Sequence, residues 1–295
     1  MGRKEHTSGL ILGSVSAILY GIYPLIVKYT TQSGMNGATI LFLRFLGCSA
    51  ILWMICLSDR ETKMKVSLKT AIQLLLVGMI AYAAMSALNI AAIQRISPSL
   101  ASLLLCAYPV FVTLIYVVFG RENFAWRTFT SLAACVFGMY LLLDVKSGSL
   151  NFLGIIFGVA ASISYASYIV IGSTVKGTVD PIMRATLTMS GSLITYTFSG
   201  MISKEIQFNF DPIGWLWIVV MILLTTVVPV MLFWMSISKI GAINASIIGV
   251  LEPISTVILS ALLLHETMQW YQLIGATIVI TSVLAIQLIQ IQIKK

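Results

Sequence analysis

Ten apolar stretches, at 8–29, 38–57, 70–92, 98–119, 127–145, 151–174, 181–202, 213–236, 242–263 and 271–291, take up nearly the whole chain. A helix needs about 20 mostly apolar residues to cross the hydrocarbon core of a bilayer, so each stretch can cross once. Only 9% of the residues are charged and 59% are hydrophobic, where soluble domains carry roughly 25% charged residues. Folded in water, such a chain would have nowhere to hide its surface. Barrel strands alternate in polarity over about ten residues, and these runs are apolar on every side. The expected fold is therefore all-α, a polytopic membrane protein of ten transmembrane helices joined by short loops. The first stretch is too long for a signal peptide, carries Lys28 near its end and lacks a small-residue cleavage site, so it is expected to remain as a helix.

The formal net charge is +8, and its distribution argues against a nucleic-acid partner. With Met1 in the cytoplasm, inward loops and tails hold twelve of the 18 Lys and Arg residues, among them Arg60, Lys63, Lys65, Lys69, Arg121 and Arg127. Outward positions hold Lys28, Arg95, Lys146 and Lys204, while Arg44 and Arg184 fall inside helices. That bias is the positive-inside pattern. It places both termini in the cytoplasm of a multi-pass protein, expected in the plasma membrane of a bacterial cell. The expected partners are the lipid bilayer and a small-molecule substrate, with the protein a monomer or homodimer. Cys48, Cys56, Cys106 and Cys135 lie within apolar stretches without ligand spacing, so neither disulfides, a metal site nor a cofactor is expected.

The chain is also written twice. Residues 9–23, GLILGSVSAILYGIY, align without gaps on 154–168, GIIFGVAASISYASY, pairing Gly9, Gly13, Tyr20 and Tyr23 with Gly154, Gly158, Tyr165 and Tyr168. Residues 95–109 align on 239–253, pairing Ala101, Ser102 and Pro109 with Ala245, Ser246 and Pro253; the same register carries Glu122 onto Glu266 and Trp126 onto Trp270. Arg44 and Arg184 both sit early in the second helix of their halves. Two five-helix repeats follow, 1–148 and 149–295. An odd number of crossings sends the second copy in from the opposite side, so the repeats are inverted. Inverted repeats are the usual construction of secondary transporters, which bind near the bilayer midplane where helices are interrupted.

Glu252 and Pro253 sit at such a place. If the ninth helix begins near Ala242, Glu252 lies roughly 15 Å deep at 1.5 Å per residue. A carboxylate at that depth costs roughly 2.5–3.5 kcal/mol unless it meets water or a partner. Pro253 removes a backbone donor and is expected to free a carbonyl near Gly249. Irregular backbone at that depth is tolerated only inside protein or beside a wet cavity, so both residues are expected to point inward.

The stretches SISKIGAINASIIGVLEPISTVILSALLLHETMQWYQLIGATIVITSV (236–283), AAIQRISPSLASLLLCAYPVFVTLIYVVFGREN (91–123), AILYGIYPLIVKY (17–29) and FLRF (42–45) together resemble the EamA-type family of the drug/metabolite transporter superfamily. The resemblance covers essentially the whole chain. It implies that helices 1–4 and 6–9 surround a central cavity, with helices 5 and 10 to one side. It also implies movement of small organic solutes without ATP hydrolysis, commonly efflux of amino acids or related metabolites. A multidrug or amphipathic amine exporter of the same fold, or uptake of a metabolite, are the alternatives. One departure is that the first half has Tyr108 where the second has Glu252.

Each candidate residue has a structural and a functional reading. Glu252 either fixes packing through a hydrogen bond or serves a substrate ammonium or a coupled proton. Tyr20, Tyr23, Tyr165 and Tyr168, spaced i and i+3, form either a packed seam or a cavity wall suited to aromatic solutes and cations. Lys28 and Arg44 either snorkel or hold a substrate carboxylate, and Arg184 is expected to snorkel. Asn89, Tyr108 and Trp234 are further cavity candidates. Pro109 and Pro253 are read as helix-breaking residues that set shape. Asp180-Pro181, Asp211-Pro212 and Ser97-Pro98 are expected to open helices 7, 8 and 4. Glu122 and Glu266 are expected to stabilise the starts of helices 5 and 10. The Gly9/Gly13 and Gly154/Gly158 pairs are small-residue contacts for close helix packing. An enzyme is not expected, because the two histidines sit at membrane edges and no HExxH or GxSxG motif occurs. A channel is not expected either, since no ring-forming selectivity motif is present.

Overall fold

A computed structural model of the chain describes residues 3–58, 66–118, 151–175, 179–249, 251–265 and 268–293, together with positions 130, 133–134, 137–138 and 140–141. Among them all regular structure is helical. The helices are α1 (Arg3–Gln32), α2 (Gly37–Ser58), α3 (Leu68–Ile93) and α4 in two pieces, Pro98–Leu105 and Tyr108–Val118. The described helical positions between 130 and 141 are α5. Then come α6 (Phe152–Thr174), α7 (Pro181–Ser203), α8 (Ile213–Gly241), α9 in two pieces, 242–248 and Leu251–Leu263, and α10 (Trp270–Ile293). Most of α1 and the whole of α2, α3, α6 and α8 are long and apolar enough to span a membrane. Large apolar side chains such as Ile80, Phe198, Ile202, Leu216 and Leu262 stay exposed on the outside, as a lipid-facing surface requires. The expected fifth span, with Glu122, Trp126 and Glu266, lies largely outside the described residues.

Helix ends follow their local chemistry. Asp180 accepts from the Ile182 and Met183 amides with Pro181 at the first helical position, and Ser97 accepts from Leu100 N ahead of Pro98. The expected Asp211 cap is overturned. At α8 the residue before the helix is Pro212, which has no side-chain oxygen to accept with, and the Asp211 amide instead donates to Ser33 O at 2.9 Å. Asn36 caps α2 through Thr39 N, and Asp180 does the same for α7 through Met183 N. These caps put α2 and α7 in a common register. In it Arg44 and Arg184, both early in their helices, stand one helical turn apart.

The two halves interlock. α1 packs against α8 and α9, and its counterpart α6 packs against α3 and α4, while α2 and α7 pack on each other. The glycines fix this swap. A methyl placed on Gly9 would meet Lys239 and Ile240, and one on Gly154 would meet Arg95 and Ile96; Gly13 likewise abuts Ile248 and Gly158 abuts Leu104. These are the same contacts, carried over by the register read from the sequence. A π-helical turn interrupts α3 at Gly78–Tyr82 and another interrupts α8 at Leu223–Val227, 145 residues later. In this wider turn the Ala83 amide bonds back to Gly78 O, and Ser192 and Thr195 of α7 donate to Gly78 O and Met79 O as well. Gly138 of α5 lies against Gly275 and Val279 of α10. α10 otherwise packs on the second piece of α4 and on 228–248.

Both discontinuous helices break just ahead of their prolines. In α4 the break falls at Cys106–Ala107, and the Leu105 carbonyl left over accepts from Ser162 Oγ at 3.0 Å. In α9 the chain turns at Gly249 before Leu251 begins the second piece. The Gly249 carbonyl, expected to be free, accepts from the Glu252 amide at 3.0 Å. A tighter i to i+3 bond replaces the one that Pro253 removes.

Candidate functional site

Where α1, α3, α4, α6 and α8 meet, aromatic rings form a continuous cluster. Tyr108 meets Tyr165 with centroids 4.7 Å apart, Tyr165 stacks on Tyr168 at 5.9 Å and 8°, and Tyr168 meets Tyr82 at 4.8 Å and Trp234 at 6.1 Å. Phe45 continues the chain to Tyr82 and Tyr196. Tyr20 approaches Tyr82 through the two hydroxyls. The Tyr168 hydroxyl and the Trp234 indole N–H are buried; Tyr168 comes close to Trp234 and Thr188, but without a well-formed hydrogen bond.

Arg44 enters the cluster from α2 and is only 3% exposed, so it does not snorkel. Its Nε donates to Thr226 Oγ1 at 2.8 Å and its Nη1 to the Tyr23 hydroxyl at 2.9 Å. The guanidinium carbon stands 4.4 Å from the Tyr23 centroid and 5.1 Å from that of Phe45. Thr226 reaches Arg44 because it sits in the π turn of α8, where its own proton goes to Met221 O.

Glu252 approaches from the second piece of α9, close enough to Tyr165 for their charges to interact. Among the described residues none hydrogen-bonds its carboxylate. Tyr20 lies within electrostatic reach of Arg44, Tyr82, Tyr165 and Tyr168, so the tyrosines bridge the space between cation and acid. Tyr20 and Glu252 lie deep in the bundle yet keep partial accessibility.

The fold thus brings together Tyr20, Tyr23, Tyr108, Tyr165, Tyr168, Trp234, Arg44 and Glu252. Asn89 is buried on the same face of α3 as Tyr82, two turns further along. Lys28 is half-buried and lies beyond the cluster, past Tyr23 on α1. The sequence reading missed Tyr82, Phe45 and Tyr196. Phe45 adjoins Arg44 in the quoted FLRF and could have been included; nothing marks the other two, because a tyrosine in an apolar helix serves packing and cavity walls alike.

The two ends of the bundle differ. At one, the 205–211 segment is strapped across the α1–α2 turn: Asn36 Nδ2 donates to Glu205 O at 2.7 Å, Thr39 Oγ1 and the backbone of Gln207 exchange bonds at 3.0 and 3.1 Å, and Tyr29 stacks on Trp217 at 4.9 Å. At the other end a cavity of about 190 Å³ opens between α6, α7 and α8, lined by Ile169, Ser173, Arg184, Trp234, Ile237 and Ser238 among others. Arg184 forms part of its wall, with Nη1 donating to Gly172 O at 2.6 Å. Trp234 separates this vestibule from Tyr168 and the cluster.

Known proteins share this organisation. A relative from Archaeoglobus fulgidus, named only an uncharacterized transporter, is 29% identical over 275 residues, covering 92% of this chain and 93% of its own. The uncharacterized transporter YcbK of Bacillus subtilis is 24% identical over 286 residues, 92% of this chain and 90% of that one. A protein of known crystal structure, 14% identical, superposes with a TM-score of 0.66 over 98% of this chain and 99% of its own; at that identity the likeness is one of fold. The model of the EamA-like transporter family matches residues 7–144 and again 152–288. Matched twice over and along nearly its whole length, the chain belongs to the EamA-like transporter family.

Proposed function

We propose that the protein is a secondary transporter that carries small organic solutes across the plasma membrane by alternating access, most directly the efflux of amino acids or related metabolites from a bacterial cell. The observation that carries this reading is the pairing of interlocked, related halves with unequal ends: a vestibule beside Arg184 and Trp234, and a strapped closure at the related place on the other side. Exchanging the conformations of two such halves would exchange which end is open. With both termini in the cytoplasm, as the positive-inside pattern supports, the vestibule faces inward. Labelling of 145–150 from the side opposite Met1 is the expected result for that topology; labelling from the same side contradicts it.

Arg44 and Glu252, held apart by tyrosines, suit a solute with a carboxylate and an ammonium. The experiment is counterflow in proteoliposomes: saturable, ATP-independent exchange of labelled amino acids is expected, and failure of every such solute in well-folded protein overturns the reading. Glu252→Gln keeps the shape and removes the charge. It is expected to lower exchange about tenfold or more and to flatten its pH dependence; unchanged exchange and pH profile would show that the carboxylate only packs. A second reading, export of amphipathic amines, is favoured by the absence of any described hydrogen-bond partner for Glu252 beside a tyrosine wall. Exchange of aromatic amines in place of amino acids would select it.

A further inference from the structure

We infer that the vestibule is itself a docking subsite for the carboxylate of a soluble organic acid or amino acid, with Arg184 as the anion-binding group and the face of Trp234 as its floor. The guanidinium is held in place from two sides. Its Nη1 is anchored on the Gly172 carbonyl where α6 ends, and its carbon stands 5.2 Å from the Trp234 ring. Arginine has five N–H donors in a planar fork, so anchoring one leaves donors for an oxyanion in the geometry that carboxylates bind in pairs. Among the described residues none of its contacts is a carboxylate, so its charge has no partner of its own. Ser173 and Ser238 give their hydroxyl protons to Val170 O and Met235 O, which leaves Arg184 as the charged donor in this wall.

The rest of the lining is apolar, with Ile169, Phe233 and Ile237 beside Trp234. A cavity of about 190 Å³ is smaller than the roughly 300–1,000 Å³ of drug-sized sites, and accommodates a single ring or short chain bearing one anionic group. Because Trp234 also touches Tyr168 of the central cluster, an acid seated here rests on the residue that divides it from Arg44. The place of this subsite on a transport route rests on the transporter reading. Binding to it does not, and is measured without transport.

The test is fluorine NMR of 4-fluorobenzoate and 4-fluorobenzylamine with protein in phosphatidylcholine nanodiscs, empty discs serving as the blank. Saturable broadening of 4-fluorobenzoate is expected, with affinity reduced about tenfold or more in Arg184→Gln and partly restored in Arg184→Lys; 4-fluorobenzylamine should be indifferent to both. Ser238→Phe, which fills the cavity and keeps the arginine, should abolish the signal too and covers the case of a misfolded Arg184→Gln. Absence of 4-fluorobenzoate binding to the native protein, or binding that survives both Arg184→Gln and Ser238→Phe, overturns the inference. So does displacement of 4-fluorobenzoate by phosphatidylglycerol in an Arg184-dependent way, because a lipid headgroup would then be the resident anion. Should counterflow fail for all solutes while 4-fluorobenzoate still binds through Arg184, the subsite stands and the transport reading falls.

Discussion

Gly191→Val is expected to yield no monodisperse folded protein. A Cβ at Gly191 would lie 2.1 Å from Leu75 O and 2.9 Å from Met79 N, and one at Gly78 would lie 1.9 Å from Thr188 O. These obstacles are backbone atoms, which no rotamer change can move aside, so α3 and α7 would have to separate until the contact relaxed to 3.4 Å or more. Separation would break the bonds from Ser192 and Thr195 to Gly78 O and Met79 O that tie the two helices together. Overpacking of a mobile side chain costs roughly 1–3 kcal/mol; a backbone clash joined to two lost hydrogen bonds, each worth about 0.5–1.5 kcal/mol more, exceeds what a marginally stable fold tolerates. Gly172→Ala is the control, since its methyl would meet Trp234 and Val77 at 3.7 and 3.9 Å, ordinary contact. Size-exclusion profiles and thermal unfolding in detergent decide the matter. A native melting temperature for Gly191→Val would mean that the two backbones do not touch.

The same contacts explain how much of the fold was legible. Gly9, Gly13, Gly154 and Gly158 recur in sequence because each marks a point where helices cross too closely for a side chain, and a steric demand of that kind fixes residue identity. Pro109 and Pro253 recur because each follows a helix break, and the Asp180 and Ser97 caps were legible because a helix start needs an acceptor. Which helix each glycine faces could not be read. Apolar helices offer the same surface to any neighbour, and the swap of α1 onto α8 and α6 onto α3 emerges only in three dimensions. The two π turns were equally hidden, because the extra residue in the turn selects no residue type.

The site was legible unevenly for related reasons. Tyr20, Tyr23, Tyr165 and Tyr168 stood out through repetition, and Glu252 through the expense of its charge at depth. Tyr82 has no such mark; its counterpart in the second half is Val227, at the same place in the other π turn. Arg184 meets neighbours that its position near a helix end does not announce. α6 ends beside it, and a carbonyl and an indole face hold the guanidinium. Depth along a helix predicts where a cation starts, not which neighbour meets it.

Arg44→Met is expected to keep or raise thermal stability while lowering counterflow about tenfold or more. Removing a buried cation from water costs several kcal/mol after relaxation. Among the described contacts of Arg44 no carboxylate offsets that cost; two hydroxyl acceptors and two ring faces do. Charge-assisted hydrogen bonds contribute about 1.5–3 kcal/mol each and a desolvated cation–π contact about 2 kcal/mol, so the arginine roughly breaks even. Methionine fills a similar length without a charge to desolvate. Thr226 keeps its bond to Met221 O, while the Tyr23 hydroxyl gives up its bond to the guanidinium. A lysine fits worse than either: its compact ammonium cannot lie flat between Tyr23 and Phe45 while bonding Thr226, and Arg44→Lys should lose both stability and exchange. On the transport reading proposed above, a residue that adds no stability, between tyrosines that reach toward Glu252, serves to bind the solute. If Arg44→Met exchanged solute at the native rate, the guanidinium would be only a space-filling member of the aromatic cluster, and the carboxylate end of the solute would have to be held elsewhere.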